Sequence, residues 1–382
     1  MVTGSPKDLR RLALAGGALL ALACSHTDPF STPPYGTTQP FDPTPPVRLT
    51  LNPGADQGAS WLPDGSGILY SAQQLGRPDL DVCLAELPPT GGTQERLVCD
   101  LGRQGSDTTN AIEWPVAGVD GRLAFVKASS SIGATNPSRE ALSVAPGLDP
   151  SKASDVQRIP YTLPGEAETS AVLHLHWQRE NQLVFVGGAA TYRQACALCV
   201  VDTITTGRKI LLLDLSPPGA APVPLPGTDF ASGVTPGISS DLIYFTLGGD
   251  RRVYSRSLTS GSTSVVHDFG SAGVVRDVHV GGGRLVAVVG GRVAFSADPG
   301  LGPTQWDSGG IVHVVDLASD ADIALDGGPR LFRRPAIAPG GDRVVAEGYP
   351  LVIRDVIDPA TQLHRLDTTV ARASDLFLFA TP

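Results

Sequence analysis

The chain has 382 residues, and its 29 Lys and Arg against 38 Asp and Glu give a formal net charge of −9. That surplus of acid argues against a nucleic-acid partner, whose phosphates require basic patches. The 44 glycines and 33 prolines, a single Met and the lack of a sustained 3.6-residue period point to β-strands punctuated by turns.

Lys7, Arg10 and Arg11 precede a short apolar run, Leu12 to Ala23, which stops at Cys24. A basic start, an apolar stretch of roughly 7–15 residues and small residues before a cut site describe a signal peptide over 1–23. The run is too short for a permanent membrane helix. Ala21-Leu-Ala-Cys24 resembles the lipobox of bacterial lipoproteins, with Ala21 where Leu is usual. That resemblance implies an acylated Cys24 and an outer-membrane anchor, on the periplasmic side or at the cell surface. The alternative is a plain signal peptide cut nearby, leaving Cys24 free. Arg10 and Arg11 weakly suggest twin-arginine export, but the residues after them are not the usual ones.

Residues 25–46 carry seven prolines among Thr, Ser and Gln, so 24–46 reads as an extended tether with almost nothing apolar to bury. Without 1–23, which hold three basic and one acidic residue, 26 basic face 37 acidic side chains, a net −11 that favours solubility.

From Val47 onward about 336 residues remain, enough for one large core. They open on Gly58-Ala-Ser-Trp-Leu-Pro-Asp-Gly-Ser-Gly-Ile-Leu-Tyr-Ser71, read as strand, tight turn and strand. Pro63 sets φ near −65°, Asp64 bonds its own backbone and Gly65 accepts positive φ. The pattern returns five more times. Glu113-Trp114 leads to Gly121–Phe125, and His176-Trp177 leads to Asn181–Phe185. The later copies are Thr235–Phe245, His279–Ala287 and Ala336–Ala346. Copies lie about 45–65 residues apart, the spacing of four-stranded propeller blades with variable loops. Strands such as Leu183–Val186 are apolar on both faces, which suits small sheets stacked between neighbours.

Arg48-Leu-Thr followed by Gly58-Ala-Ser-Trp-Leu-Pro-Asp-Gly resembles the repeat of TolB-type, WD-like β-propellers. Leu62 stands where that family usually has Ser, and a Pro-rich tether replaces TolB's preceding α/β domain. The resemblance implies an all-β fold over 47–382: a six-bladed β-propeller with four-stranded antiparallel blades. Ser374–Phe379 reads as the third strand of the last blade, and Val47–Leu51 is expected to supply its fourth, closing the ring with both ends of the chain.

An exported chain meets an oxidising compartment, so disulfides are expected. If Leu87 faces Glu95, antiparallel pairing sets Cys83 opposite Cys99, near disulfide range. Cys196 and Cys199 form a C-x-x-C with strand-like flanks, which favours a local structural disulfide over a redox or zinc site.

Catalytic motifs are scarce: no G-x-S-x-G, no H-E-x-x-H and no P-loop. The inner strands offer Glu113, His174, His176, Arg276, Asp277, His279, Arg333 and Arg334 to a central channel. The plain reading is that they wet a water-filled channel. The functional one is that His174 or His176, with Glu113, His279 or Arg334, contacts a ligand or a metal. Ala59-Ser60 and Ser232-Gly233 are small, and are expected to leave one side of the channel open. No cofactor is expected beyond such a channel metal. A monomeric, envelope-anchored, non-catalytic module binding an envelope or secreted protein is the favoured function. The alternatives are a small-ligand or glycan receptor and a metal-assisted hydrolase or lactonase.

Overall fold

Pro63-Asp64-Gly65 turns the chain as its residues require. Gly65 takes φ 72°, its N–H donates to the Leu62 carbonyl at 2.8 Å, and Asp64 Oδ1 accepts the Ser66 N–H at 2.9 Å. Asp120 and Gly121 repeat the device, with Asp120 Oδ1 accepting the Arg122 N–H at 3.0 Å. The computed structural model describes residues 46–50, 54–73, 82–91, 94, 96–101, 107–131, 139–147, 156–159, 170–194, 201–290, 293–298, 302–307, 309–328, 330–348, 351–357, 364–370 and 374–382. These belong to the unit Asp42–Pro382. Cys24 with the signal peptide and all but the last residue of the tether, and Cys196 and Cys199, lie outside the described residues.

The chain enters at β1 (Val47–Arg48) and then builds antiparallel runs of four strands. The first is β2 (Asp56–Trp61), β3 (Ile68–Gln73), β4 (Val82–Leu87) and β5 (Arg96–Val98). The second is β6 (Asp107–Ala117), β7 (Leu123–Ser131), β8 (Arg139–Ala145) and β9 (Gln157–Ile159). A single parallel pairing, Val82↔Ala111, joins these two runs into one eight-stranded sheet. Two separate four-stranded sheets follow. One is β10 (Ser170–Arg179), β11 (Gln182–Gln194), β12 (Val201–Asp214) and β13 (Val223–Pro224). The other is β14 (Ala231–Pro236), β15 (Leu242–Leu247), β16 (Arg252–Ser257) and β17 (Thr263–Asp268).

In the next sheet β18 (Val275–Gly281) and β19 (Arg284–Val289) are followed by a separate hairpin, β20 (Val293–Asp298) and β21 (Gly302–Asp307). The sheet then resumes with β22 (Ile311–Asp316) and β23 (Asp322–Ala324). The last sheet is built the same way. After β24 (Phe332–Ile337) and β25 (Arg343–Gly348) comes the hairpin β26 (Leu351–Ile357) and β27 (His364–Val370), then β28 (Asp375–Ala380). Its fourth strand is β1, with Val47↔Leu378 and Arg48↔Phe377 paired, so the two ends of the described chain close the ring.

Inner strands β2, β6, β10, β14, β18 and β24 touch in that order, and β24 returns to β2. This is a propeller arrangement. Apolar clusters fill each seam between successive four-stranded units, including the seam where Trp61, Ile68 and Leu87 meet Ala336, Val345 and Leu378. Each sheet is therefore covered on both faces, which is why Leu183–Val186 reads as an unbroken apolar run. Tryptophans tie two of the seams. Trp61 Nε1–H donates to the Ala336 carbonyl at 2.9 Å with Arg343 over its ring, and Trp177 Nε1–H donates to the Val116 carbonyl at 3.1 Å with Arg122 over its ring.

Pairs Leu84↔Val98 and Glu86↔Arg96 fix the register that sets Cys83 against Cys99, and the two are bridged. With a sequence separation of 16, reducing the bridge is expected to cost about 3 kcal/mol through the freedom returned to the unfolded chain. Urea unfolding with and without reductant measures this. Coincident midpoints would mean that the bridge contributes nothing.

Candidate functional site

Every inner strand carries a bulge, where the pairing slips by one residue against the second strand. Counting from the paired ends of these strands puts Gly58, Trp114, His174, Gly233, Asp277 and Arg334 at one level. Four of them have positive φ: Gly58 at 62°, Trp114 at 52°, His174 at 51° and Arg334 at 43°. Positive φ costs a non-glycine residue on the order of 1–3 kcal/mol, and it persists only where the surroundings impose it. Here those surroundings are the side chains of the same level.

The Arg334 guanidinium lies 4.6 Å from the centre of the Trp114 ring, and the Trp114 and His174 rings are 4.8 Å apart. His174 Nε2 is 3.3 Å from Asp277 Oδ1, and Asp277 Oδ2 accepts the Arg334 backbone N–H at 2.9 Å. The four residues thus close a circuit across the axis. Two glycines make room for it. Gly58 has no side chain to separate Arg334 from Trp114, and Gly233 none to separate His174 from Asp277. Gly58 also lines both cavities described below, and Ala59 and Ser60 line the smaller one.

Below this level the His176 and His279 rings stand 5.3 Å apart, and His279 Nδ1 accepts the Ile337 N–H at 3.3 Å. Burial pushes His174 and His279 down to about 4, and pushes His176 well below its usual range with help from neighbouring His279. Asp277 works against the burial of His174 without overcoming it. All three imidazoles are consequently neutral at pH 7. Among the described residues no group of three or more His, Cys, Asp or Glu side chains is placed to hold a metal ion.

Two cavities adjoin the circuit. One, of ≈ 30 Å³, lies among Trp114, His174, His176, His279 and Arg334 and has room for about one water. The other, of ≈ 210 Å³, is walled by Gln57, Ser71, Gln73, Glu113, Trp114 and Arg334. Arg334 Nη1 donates to Gln57 Oε1 and to Glu347 Oε1, both at 3.2 Å, and Glu347 also accepts the Gly58 N–H. Burial raises the Glu113 carboxyl, and Arg334 opposes that shift.

Of the residues expected to line the channel, Glu113, His174, His176, Asp277, His279 and Arg334 gather around the axis. Arg276 Nε–H donates to the Gly290 carbonyl at 2.9 Å, and Arg276 lines neither cavity. Arg333 stands in the wall of neither cavity. Trp114 is not the counterpart of Trp61, as the repeat pattern suggests, but of Gly58. Counting six residues back from the turn aspartates Asp64 and Asp120 reaches Gly58 and Trp114, a signal that finds the level without coordinates.

No protein-family model matches the chain, and no curated protein sequence does. Among solved structures, a gluconolactonase from Xanthomonas campestris superposes with a TM-score of 0.53 at 13% identity, covering 90% of this chain and 99% of its own. The fold is a β-propeller. TolB from Acinetobacter baumannii (TM-score 0.47, 14% identity, 82% of this chain and 65% of its own) and the WD40 repeats of RRP9 (0.47, 13%, 90% and 99%) are also similar. At these identities the propeller is all that the likeness carries, and the TolB-like repeat agrees with it at that level alone.

Proposed function

We propose that this chain is an exported, lipid-anchored β-propeller of six blades that acts as a monomer and binds a protein partner, at the end of the propeller carrying its long hairpins. The eight-stranded sheet divides at its one parallel pairing into two blades, which brings the count to six. Lys7, Arg10, Arg11 and Cys24 support export and anchoring. The observation that carries partner binding is the repeated lengthening of one connection. Between second and third strands, β11 and β12 run to 13 and 14 residues, and β20–β21 and β26–β27 add whole hairpins. In antiparallel four-stranded blades these connections all fall at the same end, where loops placed on a rigid scaffold present a binding surface. The axis itself is filled by Arg334, Trp114, His174 and Asp277.

Replacing 293–307 or 351–370 by a short Gly-Ser turn tests this. Among the described residues each hairpin pairs only with itself, so the variants are expected to melt within a few degrees of wild type while losing a partner that binds the purified wild-type head directly and saturably. If neither deletion weakens that binding, the hairpin end is not the docking face. Expressed from the whole gene, the protein is expected in the membrane fraction with a lipid on Cys24, and C24S in the soluble one. An unmodified N-terminus elsewhere, found by mass spectrometry, would sink the anchor.

A further inference from the structure

The larger cavity collects polar groups that the fold does not use. Ser71 is 3% exposed, and its Oγ has no hydrogen-bond partner among the described residues. The Glu113 carboxyl has an electrostatic neighbour in Arg334 but no hydrogen bond to a described residue. Arg334 engages Gln57 and Glu347 through Nη1 alone, which leaves Nε and Nη2. Gln57 accepts through Oε1, which leaves its NH₂. Buried polar groups are normally satisfied, so the unpartnered Ser71 Oγ and the Glu113 carboxyl beside one space of ≈ 210 Å³ mark a place for a ligand. The strained backbones of Trp114 and Arg334, two walls of that space, agree with a site held ready.

The chemistry of the walls selects the ligand. The Trp114 ring is already stacked by Arg334 and packed by His174, so recognition rests on charge and hydrogen bonding. The Arg334 cation has a partner in Glu347, which is 2% exposed. Glu113 has the same Arg334 as its opposite charge, so among the described residues two carboxyls share one cation and the cluster is short of a positive charge. A carboxylate ligand would meet that acid and find Arg334 already paired, and a neutral polyol would leave the acid unmatched. An ammonium group supplies both the missing charge and three N–H donors.

We propose that the cavity between β2, β3, β6 and β24 binds a small primary amine, with its ammonium on Glu113 and any oxygen it carries on Arg334 or Gln57. A volume of about seven waters, at about 30 Å³ each, fits an amine of a few heavy atoms. The cavity lies at the end of the propeller that carries the hairpins, since Gln73 and Val82 flank a connection between second and third strands, but its test needs no protein partner and survives the failure of that reading.

Calorimetry on the purified chain tests it with propylamine, glycerol and propionate as probes. Propylamine is expected to give a saturable heat at millimolar concentration, with glycerol and propionate giving none. The isosteric variant E113Q, its folding checked by melting, is expected to bind propylamine at least about tenfold more weakly. The proposal is overturned if wild type gives no saturable heat with propylamine. It is equally overturned if glycerol or propionate binds as tightly, or if E113Q matches wild type. The comparison of the three probes on wild type decides the matter even should E113Q fail to fold.

Discussion

Removing residues 374–382 is expected to leave a chain that does not fold. β28 lies between β25 and β1, so its loss strips one strand of a neighbour and the other of its only partner among the described residues. Leu376, Phe377, Leu378 and Phe379 are each no more than 2% exposed and fill the two seams on either side of the last sheet. At about 1.5–3 kcal/mol for each buried side chain, their removal subtracts roughly 6–12 kcal/mol. A whole domain is stable by only about 5–15 kcal/mol. The lost ladder bonds and the Arg48–Asp375 ion pair at 2.5 Å add to the deficit. Circular dichroism and thermal melting decide the outcome. A truncated chain that still melts cooperatively near the wild-type temperature would show that β28 is not what closes the ring.

The second large effect is on acid stability. His279 sits at about 4 in the folded protein because it is buried, against a usual 6.5. Once the chain unfolds, the same imidazole takes a proton freely below pH 6.5. The unfolded state therefore binds more protons between pH 6.5 and about 4, and stability falls as pH falls through that window. The shift corresponds to about 3 kcal/mol for His279 and a similar amount for His174. His176 acts in the same direction. Two carboxyls oppose them. Asp375 is raised to about 7, chiefly by burial, and Glu113 is raised by burial, so both favour the folded state as pH falls. The histidine contribution is isolated by comparing wild type with H279Q, whose side-chain oxygen can still accept the Ile337 N–H. From pH 7 to pH 4 wild type is expected to lose about 3 kcal/mol more than the variant. Denaturant unfolding across that range measures it, and parallel losses would mean that His279 is not held neutral.

Much of the architecture was legible in the residues themselves. Pro63-Asp64-Gly65 states its own turn, and Leu183–Val186 states its burial on both faces. The spacing from Cys83 to Cys99 follows from a loop length and a pairing rule. Ser374–Phe379 and Val47 betray a closing sheet because each would otherwise lack a partner. The centre was less legible, for physical reasons. A bulge inserts one residue into a strand without any local signature, so alternation cannot say whether Trp114 answers to Trp61 or to Gly58. Positive φ at Trp114, His174 and Arg334 is imposed by their neighbours, not by their own preferences. Glu347 comes from a second strand, and the hydrogen bond from Arg276 depends on where Gly290 places a carbonyl. The glycines at 58 and 233 read as gaps, whereas in three dimensions they are the clearances through which two contacts form.

The pairing of β1 with β28 also bears on the order of events during synthesis. Arg48 is made 329 residues before Phe377, the residue it finally pairs with. Until that stretch has been delivered, the last sheet lacks its third strand and β1 has no template. Contacts of such separation are formed late and slowly, since a long loop must close before they reward the chain. The last sheet is therefore completed only after every other described strand has been made.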